Sequence, residues 1–250
     1  MKKLIEVEFL KLHKRRLFLF ILLFNSIAIL YALGIYFHWS WVSIVGKFDL
    51  IQFTGAIWQL LFLIGIPLIL FMYVGASIIG SERIEGQILL EVTRVADRGR
   101  LIFAKFSAML GVILFYFLSN LVITIVSYAL IVRSTDYATK EWIILDSDNK
   151  SLIFSSLAVL FYLILSIYIV MSISVTKSAI VSTISGIVLY VLLSLGTRIS
   201  GIQELVPGYL ALNSNANINV VSIVYQLIVS LLISYLAVQF ASIKFKKIDL

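Results

Sequence analysis

The stretch Ser81–Lys105, SERIEGQILLEVTRVADRGRLIFAK, decides how the rest of the chain is read. Glu82, Arg83, Glu85, Glu91, Arg94, Asp97, Arg98, Arg100 and Lys105 follow an apolar run beginning near Ala56 and precede another beginning at Phe106. Charges cost several kcal/mol each in hydrocarbon, so the stretch is expected at a membrane surface. Its pattern is helical. Ile84, Ile88, Val92 and Val95 recur at i, i+4, i+8 and i+11, one apolar stripe on a helix whose other faces carry Glu82, Glu85, Glu91 and Arg94. Asp97 offers an N-cap to a second helix starting near Arg98, so the stretch reads as helix, tight turn, helix.

Working outward, composition agrees with a membrane setting. Hydrophobic residues make up 61% of the 250 and charged ones 13%, about half the share usual in soluble domains. The mean hydropathy is +1.07. Six stretches free of Asp, Glu, Lys and Arg approach or exceed the roughly 20 residues a helix needs to cross a bilayer. They are 17–38, 56–80, 106–132, 151–174, 178–197 and 220–243, in one transmembrane domain covering 1–250. The expected class is an all-α integral membrane protein.

The net charge of +7 is arranged by side, which argues for a membrane and against nucleic acid. With the N-terminus in the cytoplasm, Lys47, Arg133, Lys140, Lys150 and Arg198 lie outside and the remaining Lys and Arg inside. That asymmetry predicts two cytoplasmic termini. The absence of cysteine excludes a disulfide framework, a thiolate metal site and a thiol redox motif. The first apolar span is too long for a signal peptide and reads as a retained helix.

Met1–Arg16 alternates basic residues with Leu4, Ile5, Val7, Phe9, Leu10 and Leu12. It reads either as an amphipathic helix lying on membrane lipids or as a simple positive anchor. His38, Trp39 and Trp41 form an aromatic belt after span one, and Gly65-Ile66-Pro67 predicts a kink in span two. In span three Tyr116, Ser119, Asn120, Thr124, Ser127 and Tyr128 share one side of a helix. Two readings stand for this polar stripe: hydrogen-bonding glue between helices, or the wall of a translocation path to which Asn25 of span one contributes. Ser178, Ser182 and Gly186 make a small-residue face suited to close helix approach. The outer segment 197–219 is half apolar and could dip back into the membrane where protein covers its backbone. No phosphate-cradling Gly-x-x-x-x-Gly-Lys-Ser/Thr, His-Glu-x-x-His or Gly-x-Ser-x-Gly sequence occurs, and no span interior carries an ionisable relay. An energy source must come from another chain.

Taken together, the order resembles an ABC-2 type permease, the transmembrane subunit of an ATP-binding-cassette exporter. Ser81-Glu82-Arg83-Ile84-Glu85-Gly86 is similar to the family's Glu-x-x-Glu-x-Gly-Thr opening, with Gln87 where Thr is common. Arg98 and Lys105 match its spacing of Arg, two residues, two apolar residues, two residues, Lys; Val95 replaces a frequent Pro. Phe245-Lys246-Lys247-Ile248-Asp249-Leu250 is like its basic ending. The resemblance implies that a helix over Glu82–Val95 docks on a separate ATPase. Glu82 and Glu85 would contact that ATPase, and Arg98 and Lys105 would hold the turn. ATP and Mg would sit on the partner and no cofactor on this chain. It further implies two permeases, as a homodimer, in a bacterial cytoplasmic membrane, exporting an apolar or amphipathic cargo such as a toxin peptide. A path between the copies would be lined by Asn25, Tyr116, Asn120, Thr124 and Tyr128. The competing class is a non-transport membrane protein, a sensor or intramembrane enzyme, which would need a partner-binding domain or catalytic groups that the sequence does not display.

Overall fold

The computed structural model describes residues 1–42, 46–93, 97–213 and 219–247. Val95 of the expected stripe and Arg94 of the opposite faces, most of the Asn-rich tip before span six, and Ile248–Leu250 of the tail lie outside the described residues. The described chain is helical: α1 (Lys2–Lys14), α2 (Leu17–Asn25), α3 (Ile27–Tyr36), α4 (Leu50–Ile64), α5 (Ile66–Ile84), α6 (Gln87–Val92), α7 (Arg98–Leu130), α8 (Ser147–Ser174), α9 (Ala179–Gly196), α10 (Tyr209–Leu212) and α11 (Val220–Lys246). Among the described residues six helical stretches are long and apolar enough to cross a membrane: 17–36, 66–84, 98–134, 147–174, 179–196 and 221–246. An all-α membrane protein is therefore what the sequence folds into.

Two expected spans differ in detail. Span one is interrupted for one residue at Ser26, whose hydroxyl donates to the Leu23 carbonyl at 2.6 Å. Span two, expected over 56–80, is two helices. Gly65 stands between them at φ +74°, a left-handed conformation that glycine adopts without strain. Pro67 lies in the first turn of α5, where its missing N–H leaves no bond unmade. The expected kink is thus a full break. At 1.5 Å per residue α4 and α5 are roughly 22 and 28 Å long, so only α5 approaches the thickness of a hydrocarbon core unaided.

The start of α4 is fixed by Asp49, which closes a capping box with Gln52. The same buried carboxylate accepts from the Ile144 N–H at 2.8 Å and the Asn149 amide at 2.7 Å, tying α4 to the start of α8. Helix α8 is the centre of the bundle, packing against α4, α5, α7, α9 and α11. Its polar groups are spent on neighbours: Tyr168 donates to the Phe106 carbonyl of α7 at 3.2 Å and Ser172 to the Ala237 carbonyl of α11 at 2.7 Å. The small-residue face of α9 is used inside the chain, since a Cβ on Gly186 would collide with Val170 of α8.

In the segment before α11, 198–202 and 204–205 are exposed, and the turn at 204–208 is tied to α11. Gln226 of α11 donates to the Glu204 and Val206 carbonyls at 2.8 and 3.0 Å and accepts from the Gly208 N–H at 2.9 Å. One buried amide thereby satisfies three backbone groups between the short helical turn at 203–205 and α10.

Candidate functional site

The charged stretch does not lie solvated on a surface as one helix. Helix α5 continues through Glu82, Gly86 turns the chain at φ +76°, and only Gln87–Val92 forms the next helix. Ile84 and Ile88, expected on one stripe, part company: Ile84 is exposed and Ile88 fully buried. Asp97 caps α7 as expected, accepting from the Gly99 N–H at 2.8 Å. That backbone bond and the nearby Lys246 and Arg100 hold its carboxyl below the usual carboxylate range.

Because α7 begins at Arg98, as expected, Lys105 sits two turns inside a long helix, with no solvent exposure. Its ammonium is met by three carboxylates from three elements: Glu8 of α1 at 3.1 Å, Glu82 of α5 at 2.6 Å and Glu91 of α6 at 3.1 Å. Lys11, a turn beyond Glu8, reaches the same three, at 2.9 Å to Glu8, 3.4 Å to Glu82, and in a short contact to Glu91. Arg15 completes the group, donating to Glu82 at 2.9 Å and to Ser77 of α5 at 3.0 Å. Three carboxylates thus face three cations, and the cluster is neutral. Glu8, Glu82 and Glu91 place one oxygen each close enough to hold a metal ion, but the cation among them is the ammonium of Lys105.

Electrostatics follow the geometry. Burial opposes the charge on Lys11, yet the hydrogen bond to Glu91 and the charges of Glu8 and Glu82 outweigh it and raise its pKa above the ordinary lysine value. Burial likewise opposes ionised Glu91, and Lys105 with Lys11 outweighs it, so the carboxyl lies below its usual range.

The residues expected to couple the chain to an ATPase are therefore divided. Glu82 and Lys105 are brought together and sealed inside; Glu82 is 1% exposed and has no free face for a partner. In this arrangement α1 lies over Glu82, whose partners are Lys11, Arg15 and Lys105. Glu85 is exposed, accepting from Gln87 at 2.8 Å, and Arg98 is half-buried at the first position of α7. Glu8, Lys11 and Arg15 were missed in the sequence, although their spacing of i, i+3 and i+7 puts them on one face of α1 with Leu12.

The polar stripe of span three is also internal. Tyr116, Asn120, Thr124 and Tyr128 are each at most 1% exposed. Asn25 donates to the Tyr116 carbonyl at 3.2 Å and the Ser119 hydroxyl at 2.7 Å, and accepts from Asn120 at 3.3 Å. Thr124 donates back to the Asn120 carbonyl at 2.9 Å, and Tyr128 to the Phe48 carbonyl at 3.2 Å. The Tyr116 ring lies between Trp58 and Phe71, with centroids 5.1 and 5.0 Å away. In this arrangement the chain's own helices fill the face expected to line a path. The groups act as glue between α2, α4, α5 and α7.

The charged junction thus joins α1, α5 and α7 behind the short helix α6. Residues 4–193 match the protein family described as ABC-2 family transporter protein. The chain belongs to that family. As an ABC-2 family member it is a transmembrane component of an ABC transporter, and the family works with an ABC ATPase. No curated protein and no solved structure matches the chain. The matched residues include every member of the buried charge cluster.

Proposed function

We propose that this ABC-2 protein is a single-domain permease subunit that exports an apolar or amphipathic cargo, powered by a separate ATPase that carries ATP and Mg. Two copies would assemble in a bacterial cytoplasmic membrane with both termini in the cytoplasm. The observation that carries the reading is the surface of α6 and its approach. Ile84, Leu89 and Leu90 stand 64, 43 and 66% exposed beside exposed Glu85, on the side of the bundle where α1 lies. Behind them Ile88 is buried in the hydrophobic core and Glu91 is held by the charge cluster. An exposed apolar ridge with a rigid back suits a protein partner that pushes, and the carboxylate of Glu85 suits a basic residue on that partner. The uncharged spans suit an apolar or amphipathic cargo, of which peptides are one class.

Leu89→Asp with Leu90→Asp should abolish co-purification with the cognate ATPase while the permease stays monodisperse in detergent. Glu85→Lys should weaken the stimulation of ATP hydrolysis by cargo. Unchanged co-purification of the double variant would remove α6 from the docking surface.

A further inference from the structure

Beside the buried cluster, on the opposite side of Arg15, a groove of about 360 Å³ runs between the α1–α2 elbow and the last turns of α5. The elbow is sharp because Arg16 takes a left-handed conformation at φ 57°. The groove straddles the point where span one begins, at Leu17, and where span two ends, at Ile84. One end is therefore polar and the other apolar.

At the polar end Arg15 spends one donor on Ser77 and one on Glu82, which leaves three of the five guanidinium N–H groups for a ligand. Its side chain is 38% exposed. The hydroxyls of Ser81 and Tyr73 also line the groove and donate to no partner among the described residues. Across from Arg15 stands Glu85, exposed, with one carboxylate oxygen held by Gln87 and the other uncommitted. At the apolar end Leu70 and Val74 continue the wall, and Phe20 and Tyr73 leave broad ring surface uncovered, at 45 and 46% exposure.

We propose that this groove binds one phospholipid of the adjoining leaflet, with a preference for an ethanolamine headgroup. The phosphate would meet Arg15 and the two hydroxyls, since a guanidinium pairs with phosphate oxygens through charge-assisted hydrogen bonds. The primary ammonium, two carbons further on, would meet the Glu85 oxygen that Gln87 leaves free, so that lipid and ATPase would compete for this carboxylate, and an acyl chain would lie along Phe20, Leu70 and Val74. A headgroup that is only anionic leaves Glu85 facing negative charge. A choline headgroup has no N–H to donate to it. Because the same guanidinium holds Glu82, a phosphate on Arg15 competes with the buried cluster, so the lipid would also tune how firmly α1 is held to α5.

The test uses the full chain alone, so it does not depend on cargo or ATPase. Protein purified in mild detergent is equilibrated with equal amounts of phosphatidylethanolamine, phosphatidylcholine and phosphatidylglycerol of one chain length, and retained lipid is counted by native mass spectrometry. The expected result is one phosphatidylethanolamine per chain in preference to the others. Arg15→Gln should lower retention roughly tenfold, the equivalent of one charge-assisted contact. Since Arg15 also serves the cluster, Glu85→Gln decides the matter in a folded background: retention should persist while preference shifts toward phosphatidylglycerol. Equal retention of all three lipids by the unaltered chain would overturn the proposal, as would an unchanged preference in Glu85→Gln. A disulfide formed between copies carrying Phe20→Cys and Ser81→Cys, with no lipid retained, would show a second chain in the groove and also overturn it.

Discussion

Replacing Lys105 with methionine keeps most of the unbranched apolar stem and removes the charge that three elements share. In the native arrangement Glu8, Glu82 and Glu91 balance Lys11, Arg15 and Lys105. In the variant the same carboxylates face only Lys11 and Arg15, one negative charge is uncompensated, and Glu82 at 1% exposure cannot recover water. Removing one partner of a buried pair costs about 3–5 kcal/mol, a large part of the roughly 5–15 kcal/mol that holds a typical domain folded. Glu82→Gln added to Lys105→Met restores a neutral cluster of two against two. The double variant should therefore be more stable than the sum of the singles by about 1–3 kcal/mol, as expected for residues in direct contact. The assay is unfolding in detergent mixtures, followed by loss of the monodisperse gel-filtration peak on heating, for all four corners of the cycle. A Lys105→Met cost below about 1 kcal/mol, or additive effects of the two substitutions, would refute the reasoning.

The pH response of the same cluster has a definite sign. Glu91, depressed from 4.5, contributes stability that is present above that value and lost as pH falls through its lower folded pKa. Lys11, raised from 10.5, contributes stability present below that value and lost only as pH rises through its higher one. The thermal midpoint should thus be flat in this contribution from about pH 5 to about pH 10; a step near neutrality in the native chain that vanishes in Lys11→Met would contradict it. Gln226→Leu strips three backbone partners from Glu204, Val206 and Gly208, so hydrogen exchange across 203–209 should rise while α8 stays protected. Asn120→Leu removes one interhelical bond to Asn25 and should cost about 1 kcal/mol without changing which cargo stimulates the ATPase; a changed cargo preference would return that face to the translocation path.

Periodicity and charge carried much of the fold in the sequence, because both are local. The six spans follow from length and the lack of charge, whereas Gly65-Ile66-Pro67 points only to a kink where the chain breaks fully at Gly65. The same local logic put Tyr116, Asn120, Thr124 and Tyr128 on one side of α7. What faces that side is a matter of tertiary packing: Asn25 lies 95 residues from Asn120, and Trp58 lies on another helix again. The charge cluster failed to be legible for the same reason. Lys105 pairs with Glu8 across 97 residues, and a charge next to an apolar span reads as a span boundary until something covers it. The covering element is α1, whose face bearing Glu8, Lys11 and Arg15 was visible at helical spacing but had no identified partner.

The size of α6 explains why this junction is built from charges and not from helix propensity. Six residues flanked by a left-handed glycine are too few to hold helical shape alone, since isolated helices shorter than about 12 residues are marginal in water. Its form depends on what grips it from behind, namely Ile88 in the core and Glu91 against Lys105 and Lys11. A push on Leu89 and Leu90 therefore cannot be absorbed by bending α6 without separating Glu91 from two ammonium groups. Those ammonium groups belong to α7 and α1, and the Glu82 that binds both of them belongs to α5. Displacement of one short exposed helix is then shared among the two long helices that flank it in sequence and the N-terminal helix that lies across them.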